Sequence, residues 1–194
     1  MNINCILFNN FETLDLFGPV EVFGKIRKWN INYYSYDGGN VKNNDNVQII
    51  TENIDTIGNL DILLIPGGLG TRTFVNDVEF IQKIKEIAEK SLWCLTVCTG
   101  SALLAKTGLL DNIEATSNKT AFKWVKSVNE NVKWKEKARW VVDGKFYTSS
   151  GVSAGIDMSL GFICDRLGED VAKNTAKFIE YEWHNNKEKD MFTI

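Results

Sequence analysis

The stretch Leu92-Trp93-Cys94-Leu95-Thr96-Val97-Cys98-Thr99-Gly100-Ser101-Ala102-Leu103 decides the fold. Leu92 to Val97 reads as a continuous apolar run too short for a helix, and so as a central strand covered on both faces. Thr99 to Thr107 reads as a helix, with Gly108 as its C-terminal stop. A buried strand that turns through small residues into a helix is the context of a nucleophile elbow, here with cysteine where serine is usual.

The same alternation extends on both sides of this turn. Ile3 to Phe8 is a short apolar run closed by Asn9-Asn10, hence a strand. Thr13 to Lys28 is expected to be helical, with a break at Gly18-Pro19, and Ile31 to Tyr36 to be a second strand. Asp37-Gly38-Gly39-Asn40 marks a turn, and the Asn-rich run Asn40 to Asn46 a loose loop. Leu60 to Ile65 is another buried strand, stopped by Pro66-Gly67-Gly68. Phe74 to Lys90 carries apolar residues at Phe80, Ile81, Ile84, Ile87 and Ala88, a helical stripe. Alternating strands and helices imply an α/β fold: a three-layer sandwich with a mostly parallel central sheet. Further on, Val132 to Lys137 and Ala138 to Val142 read as strands. Val141 to Tyr147 forms a β-hairpin addition around Asp143-Gly144. Amphipathic segments near Ser153 to Leu167 and Glu169 to Trp183 complete a single domain over residues 1–194.

Composition narrows the function classes. A net charge of −3 argues against a nucleic-acid partner, which a basic face would announce. No apolar run reaches the roughly 18 residues of a membrane span. The N-terminus has neither a basic region nor a small-residue cleavage site, so a cytoplasmic protein is expected. Cys5, Cys94, Cys98 and Cys164 include no C-x-x-C pair and read as free thiols. With His184 as the one histidine, an imidazole metal site is not expected, and no cofactor is implied.

Cys98 is either the nucleophile of the elbow or a small apolar core residue. A helix N-terminus would favour its thiolate, and the Thr99 N–H could face an oxyanion. Cys5, Cys94 and Cys164 lack this context and read as buried small hydrophobes. Pro66-Gly67-Gly68-Leu69-Gly70 is either a plain turn or a close backbone approach offering the Gly67 or Gly68 amide to an anion. Asp15, flanked by Leu14 and Leu16, is either a helix cap or an acid with a raised pKa, and Glu21 competes for the second role. His184 reads as a surface residue.

Together these pieces resemble the ThiJ/PfpI (DJ-1-like) superfamily, whose fold is class I glutamine amidotransferase-like, or flavodoxin-like. The resemblance runs through Asp15-Leu16-Phe17-Gly18-Pro19, Ile65-Pro66-Gly67-Gly68, Val97-Cys98-Thr99-Gly100-Ser101, Ala115-Thr116 and Ser150-Gly151-Val152-Ser153-Ala154-Gly155-Ile156-Asp157. The Cys-Thr-Gly-Ser elbow and the Asp-Leu-x-Gly-Pro segment are most similar to the isonitrile hydratase subgroup and to amidase-like domains of AraC-type regulators. The resemblance implies Cys98 as nucleophile, Asp15 as the acid beside it, Thr99 as support, and the Gly68 and Thr99 amides as anion holders. It implies a homodimer acting on a small-molecule substrate, without the DNA-binding domain of the regulators. In one place the chain departs from the pattern. Where many relatives have Ala-Thr-x-His, this chain has Ala115-Thr116-Ser117-Asn118, and Asn118 cannot act as a base. The resulting expectation is an isonitrile hydratase-like enzyme; the alternatives are an intracellular protease or amidase of PfpI type and a cysteine redox sensor.

Overall fold

The computed structural model describes residues 1–193. Its core is an eight-stranded sheet of β1 (Asn2–Ile6), β2 (Asn30–Ser35), β3 (Gly39–Lys42), β4 (Gln48–Asn53), β5 (Ile62–Ile65), β6 (Trp93–Thr96), β9 (Trp140–Asp143) and β10 (Phe146–Ser149). The spatial order is β3-β4-β2-β1-β5-β6-β10-β9. From β4 to β10 every neighbouring pair is parallel, and an antiparallel strand closes each edge. Two short strands, β7 (Glu114–Ala115) and β8 (Lys133–Trp134), pair separately.

Helices cover both faces. α1 (Thr13–Gly24), α6 (Ala154–Leu167) and α7 (Glu169–Phe178) pack together on one side. α2 (Thr71–Phe74), α3 (Val78–Lys90), α4 (Gly100–Lys106) and α5 (Phe122–Val128) pack on the other. With both faces covered, β5 and β10 are buried at every residue, which is why they read as unbroken runs.

Several expectations are corrected. Asn40 to Asn46 is not loose: its first residues form β3, and the Asn43 side chain accepts N–H bonds from Asp45 and Val47, closing a tight hairpin. Pro19 does not break α1, which runs on to Gly24 and stops short of Lys28. The predicted helix from Phe74 begins only at Val78, where the Asp77 side chain caps the Phe80 N–H. α7 ends at Phe178, so His184 lies beyond it, on an exposed segment. Cys5 and Cys94 are buried as expected, but Cys164 is only half-buried. The predicted hairpin exists, with Gly144 at φ 57° in its two-residue loop; β10 docks it parallel to β6. Among the described residues, no helix is long and apolar enough to cross a membrane.

Candidate active site

In an open parallel sheet, functional groups gather outside the carboxyl ends of the strands, near the point where strand order reverses. Here β1 has β2 on one side and β5 on the other, and the chain after β1, β5, β6 and β10 converges at that edge. Those four connections supply Asp15, Gly67, Cys98 and Val152.

Cys98 follows β6 with φ 56°, a left-handed conformation that non-glycine residues rarely adopt and that defines the elbow. Its backbone is tied down at both ends. The N–H donates to the carbonyls of Ser149 and Ser150, each at 3.2 Å, and the carbonyl accepts the hydroxyls of Ser101 at 3.0 Å and Ser117 at 2.8 Å. The residue is 5% exposed. It meets the Asp15 carboxyl and the backbone N–H groups of Thr99 and Val152.

Asp15 projects from the first turn of α1 and is completely buried. Its Oδ2 accepts the Gly67 N–H at 2.9 Å, while Oδ1 has no oriented hydrogen-bond partner. Burial pushes the carboxyl up to about 7, and the nearby charge of Glu12 adds to the rise; the Gly67 amide, the Cys98 thiol and the Val152 amide oppose it. The structure therefore sides with the raised-pKa reading of Asp15 over the cap reading. Glu21 is not its competitor, because it faces solvent and pairs with Lys25 at 2.7 Å.

The expectation of a resting thiolate is corrected. Burial, then the charge of Asp15, raises the Cys98 thiol, and the Thr99 and Val152 amides offset this only in part. α4 spans only seven residues, too short for its end to outweigh desolvation. Both influences favour the protonated thiol, and Asp15, raised to about 7, is the adjacent group placed to exchange a proton near neutrality.

The glycine amides are also placed differently from the expectation. The Gly67 N–H is held by Asp15, and the Gly68 N–H donates to Thr99 Oγ1 at 3.0 Å. Thr71 donates to the same oxygen at 3.1 Å. Gly67 and Gly68 therefore orient the acid and the turn, and the amides that reach the sulfur belong to Thr99 and Val152. Sequence reasoning assigned no role to Val152. Its signal was available: a small-residue run, Ser150 to Gly155, linking a buried strand to a helix at the same sheet edge. Asn118 is engaged locally, its Oδ1 accepting the Thr120 hydroxyl and, at 3.0 Å, the Ala121 N–H.

Gly67 is required sterically. A Cβ there would lie 2.6 Å from both the nitrogen and the hydroxyl oxygen of Thr99 and 2.8 Å from Asp15 Oδ2. Gly67→Ala is expected to cost about 1–3 kcal/mol of stability. Thermal unfolding measures that loss, and slowed alkylation of Cys98 would report the displaced carboxyl. Among the described residues, no group of three or more His, Cys, Asp and Glu side chains is arranged to hold a metal.

A mostly parallel sheet covered by helices on both faces, with a strained cysteine turn at its carboxyl edge, places the chain among the layered α/β proteins. The chain belongs to the DJ-1/PfpI family, whose family model matches residues 1–164. It is 28% identical over 182 residues to the isonitrile hydratase of Pseudomonas putida, covering 93% of this chain and 78% of that one. It is 25% identical to the HTH-type transcriptional regulator GbdR of Pseudomonas aeruginosa, covering 96% of this chain but only 52% of the regulator's length. A crystal structure of a ThiJ/PfpI family protein from Pseudomonas syringae superposes with a TM-score of 0.85 at 25% identity, over 93% of this chain and 75% of that one.

Proposed function

We propose that this chain is a cofactor-free cysteine enzyme that hydrates a small isonitrile to an N-substituted formamide. The observation that carries the reading is the buried Asp15 carboxyl, raised to about 7, against the Cys98 thiol. The pair holds one transferable proton near neutral pH, and the chemistry needs one. The thiol proton passes to Asp15, which delivers it to the terminal isonitrile carbon as the sulfur bonds to that carbon. The product is a thioimidate, R–N=CH–S–Cys98. Water adds to its carbon, the C–S bond breaks, the sulfur regains a proton, and R–NH–CHO leaves. No atom or electron is left over. The resemblance to an isonitrile hydratase supports the same reading.

Access favours a slim substrate. A cysteine only 5% exposed admits a linear isonitrile carbon more readily than a peptide carbonyl with its flanking chain. A Cys–His protease would need an imidazole beside the sulfur, and the chain's one histidine, His184, lies on an exposed segment beyond α7. Selective oxidation needs an accessible thiolate, whereas this thiol is buried and protonated. The test is turnover of a panel of alkyl and aryl isonitriles, simple amides and peptides by purified protein. Formamide release from isonitriles is expected, with Cys98→Ser slower by at least about a thousandfold. Turnover of amides or peptides alone would overturn the reading.

A further inference from the structure

The turn that brings Val152 to the site is strained, and a buried polar clamp outside the reacting pair brackets it. Val152 is β-branched with φ 47°. Such a conformation persists only where surrounding structure imposes it. Arg139, which precedes β9, grips the turn on both sides of that residue. Its carbonyl accepts the Ser150 N–H at 2.8 Å, and its Nη2 donates to Ser153 Oγ at 3.1 Å.

The guanidinium is itself fixed. Asp157 Oδ2 accepts Nε at 2.9 Å and Nη2 at 2.8 Å, with both residues buried. Asp157 Oδ1 accepts the Tyr181 hydroxyl at 3.1 Å and the His184 N–H at 3.0 Å. Nη1 lies 3.6 Å from the Asp190 carboxylate, and the Arg139 N–H donates to the Lys187 carbonyl at 2.7 Å. The C-terminal segment thus seals the clamp from outside.

We propose that Arg139 is a positioning residue for the Cys98–Asp15 pair: through Ser153 and Asp157 it holds the strained 150–153 turn against the elbow, where the Ser150 carbonyl accepts the Cys98 N–H at 3.2 Å. The inference rests on the proposed function only in taking Cys98 and Asp15 as the reacting pair. The Val152 N–H favours the charged form of both groups. Loosening the turn therefore makes both harder to ionise. The other groups acting on them, the Glu12 charge and the Gly67 and Thr99 amides, sit on different connections and stay in place.

The experiment follows alkylation of Cys98 by iodoacetamide across pH 5–9, read by peptide mass, in the wild type, Ser153→Ala, Ser153→Thr and Arg139→Lys. No isonitrile is used, so a failure of the hydratase reading leaves this result interpretable. Ser153→Ala and Arg139→Lys are expected to alkylate about three- to tenfold more slowly at pH 7, the effect of losing one hydrogen bond, with the rise displaced to higher pH. Ser153→Thr keeps the hydroxyl and is expected to follow the wild type. Ser153→Ala is also expected to keep the wild-type circular dichroism and to melt within about 5 °C of the wild type, so that it stays fully folded under the assay and positioning is separated from folding. A Ser153→Ala profile that superimposes on the wild type, or alkylates faster, overturns the proposal. If Arg139→Lys fails to fold, the two Ser153 variants decide alone.

Discussion

Asp15→Asn is expected to slow isonitrile hydration by about a hundredfold to ten-thousandfold and, at the same time, to stabilise the protein above pH 7. The loss of rate follows from the role of Asp15, because an amide can neither take the thiol proton nor deliver it. The gain in stability follows from burial. The carboxyl is raised from its ordinary 3.8 to about 7 in the fold. At 1.36 kcal/mol per pH unit, charging it in place costs about 4 kcal/mol. A carboxyl whose folded pKa is raised contributes stability that is complete below its unfolded pKa and is lost as pH rises through about 7. Asparagine carries no such charge. Its advantage should therefore be partial at pH 5, where the unfolded carboxyl is already largely charged, and reach the full penalty by pH 8. The same titration sets the wild-type rate profile. The form in which Asp15 and Cys98 share one proton appears as pH rises through about 7, so hydration should climb through that range and Asp15→Asn should lose the climb. Thermal melts at pH 5 and 8, run beside a pH–rate profile, check both halves. An Asp15→Asn protein that melts below the wild type at pH 8 would remove the buried-acid account.

The second large effect is expected from Asp157→Ala. Asp157 is completely buried and accepts both Nε and Nη2 of Arg139, so the variant leaves a buried guanidinium with the 3.6 Å contact to Asp190 as its one remaining ion pair, beside the bond to Ser153 Oγ. Removing one partner of a buried ion pair costs about 3–5 kcal/mol. In a chain of this length that lowers the melting temperature on the order of 10 °C. The double variant Arg139→Met/Asp157→Leu exchanges the pair for apolar groups of similar volume and should recover most of the loss. Recovery of stability without recovery of the Cys98 alkylation profile would separate what the pair contributes to folding from what it contributes to the site. Equal melting temperatures for Asp157→Ala and the wild type would show that the pair is not a stabilising element.

The layered α/β architecture was legible in the chain because its signals are local. Ile62 to Ile65 and Trp93 to Thr96 are short, apolar and followed by turn residues, and that length and those flanks favour a buried strand over a helix. The two edge hairpins show the limit of such reading. Val141 to Tyr147 announced itself through Asp-Gly, but β3 and β4 did not. Their pairing depends on Asn43 accepting two backbone N–H groups, a contact that composition alone registers as a polar loop. Likewise, Pro19 signals a break in isolation but sits inside α1, where packing against α6 carries the helix past one missing hydrogen bond.

Cys98, Thr99, Gly67, Gly68 and Asp15 were all visible in the sequence as residues of interest, since each lies beside a strand end or breaks an apolar pattern. Their protonation states and partners were not. Whether a thiol rests ionised depends on how much solvent it loses and which charges face it, and both are set by chain segments distant in sequence. Only the assembled sheet brings the turns after β1, β5, β6 and β10 to one edge, binds the Gly67 amide to the acid and the Gly68 amide to Thr99, and turns the Val152 N–H toward the sulfur. The sequence by itself determined the fold class and singled out Cys98 as the candidate sulfur, because these follow from periodicity and local turn chemistry. The tertiary structure decided where the proton sits, because electrostatics in a buried site depends on everything packed around it.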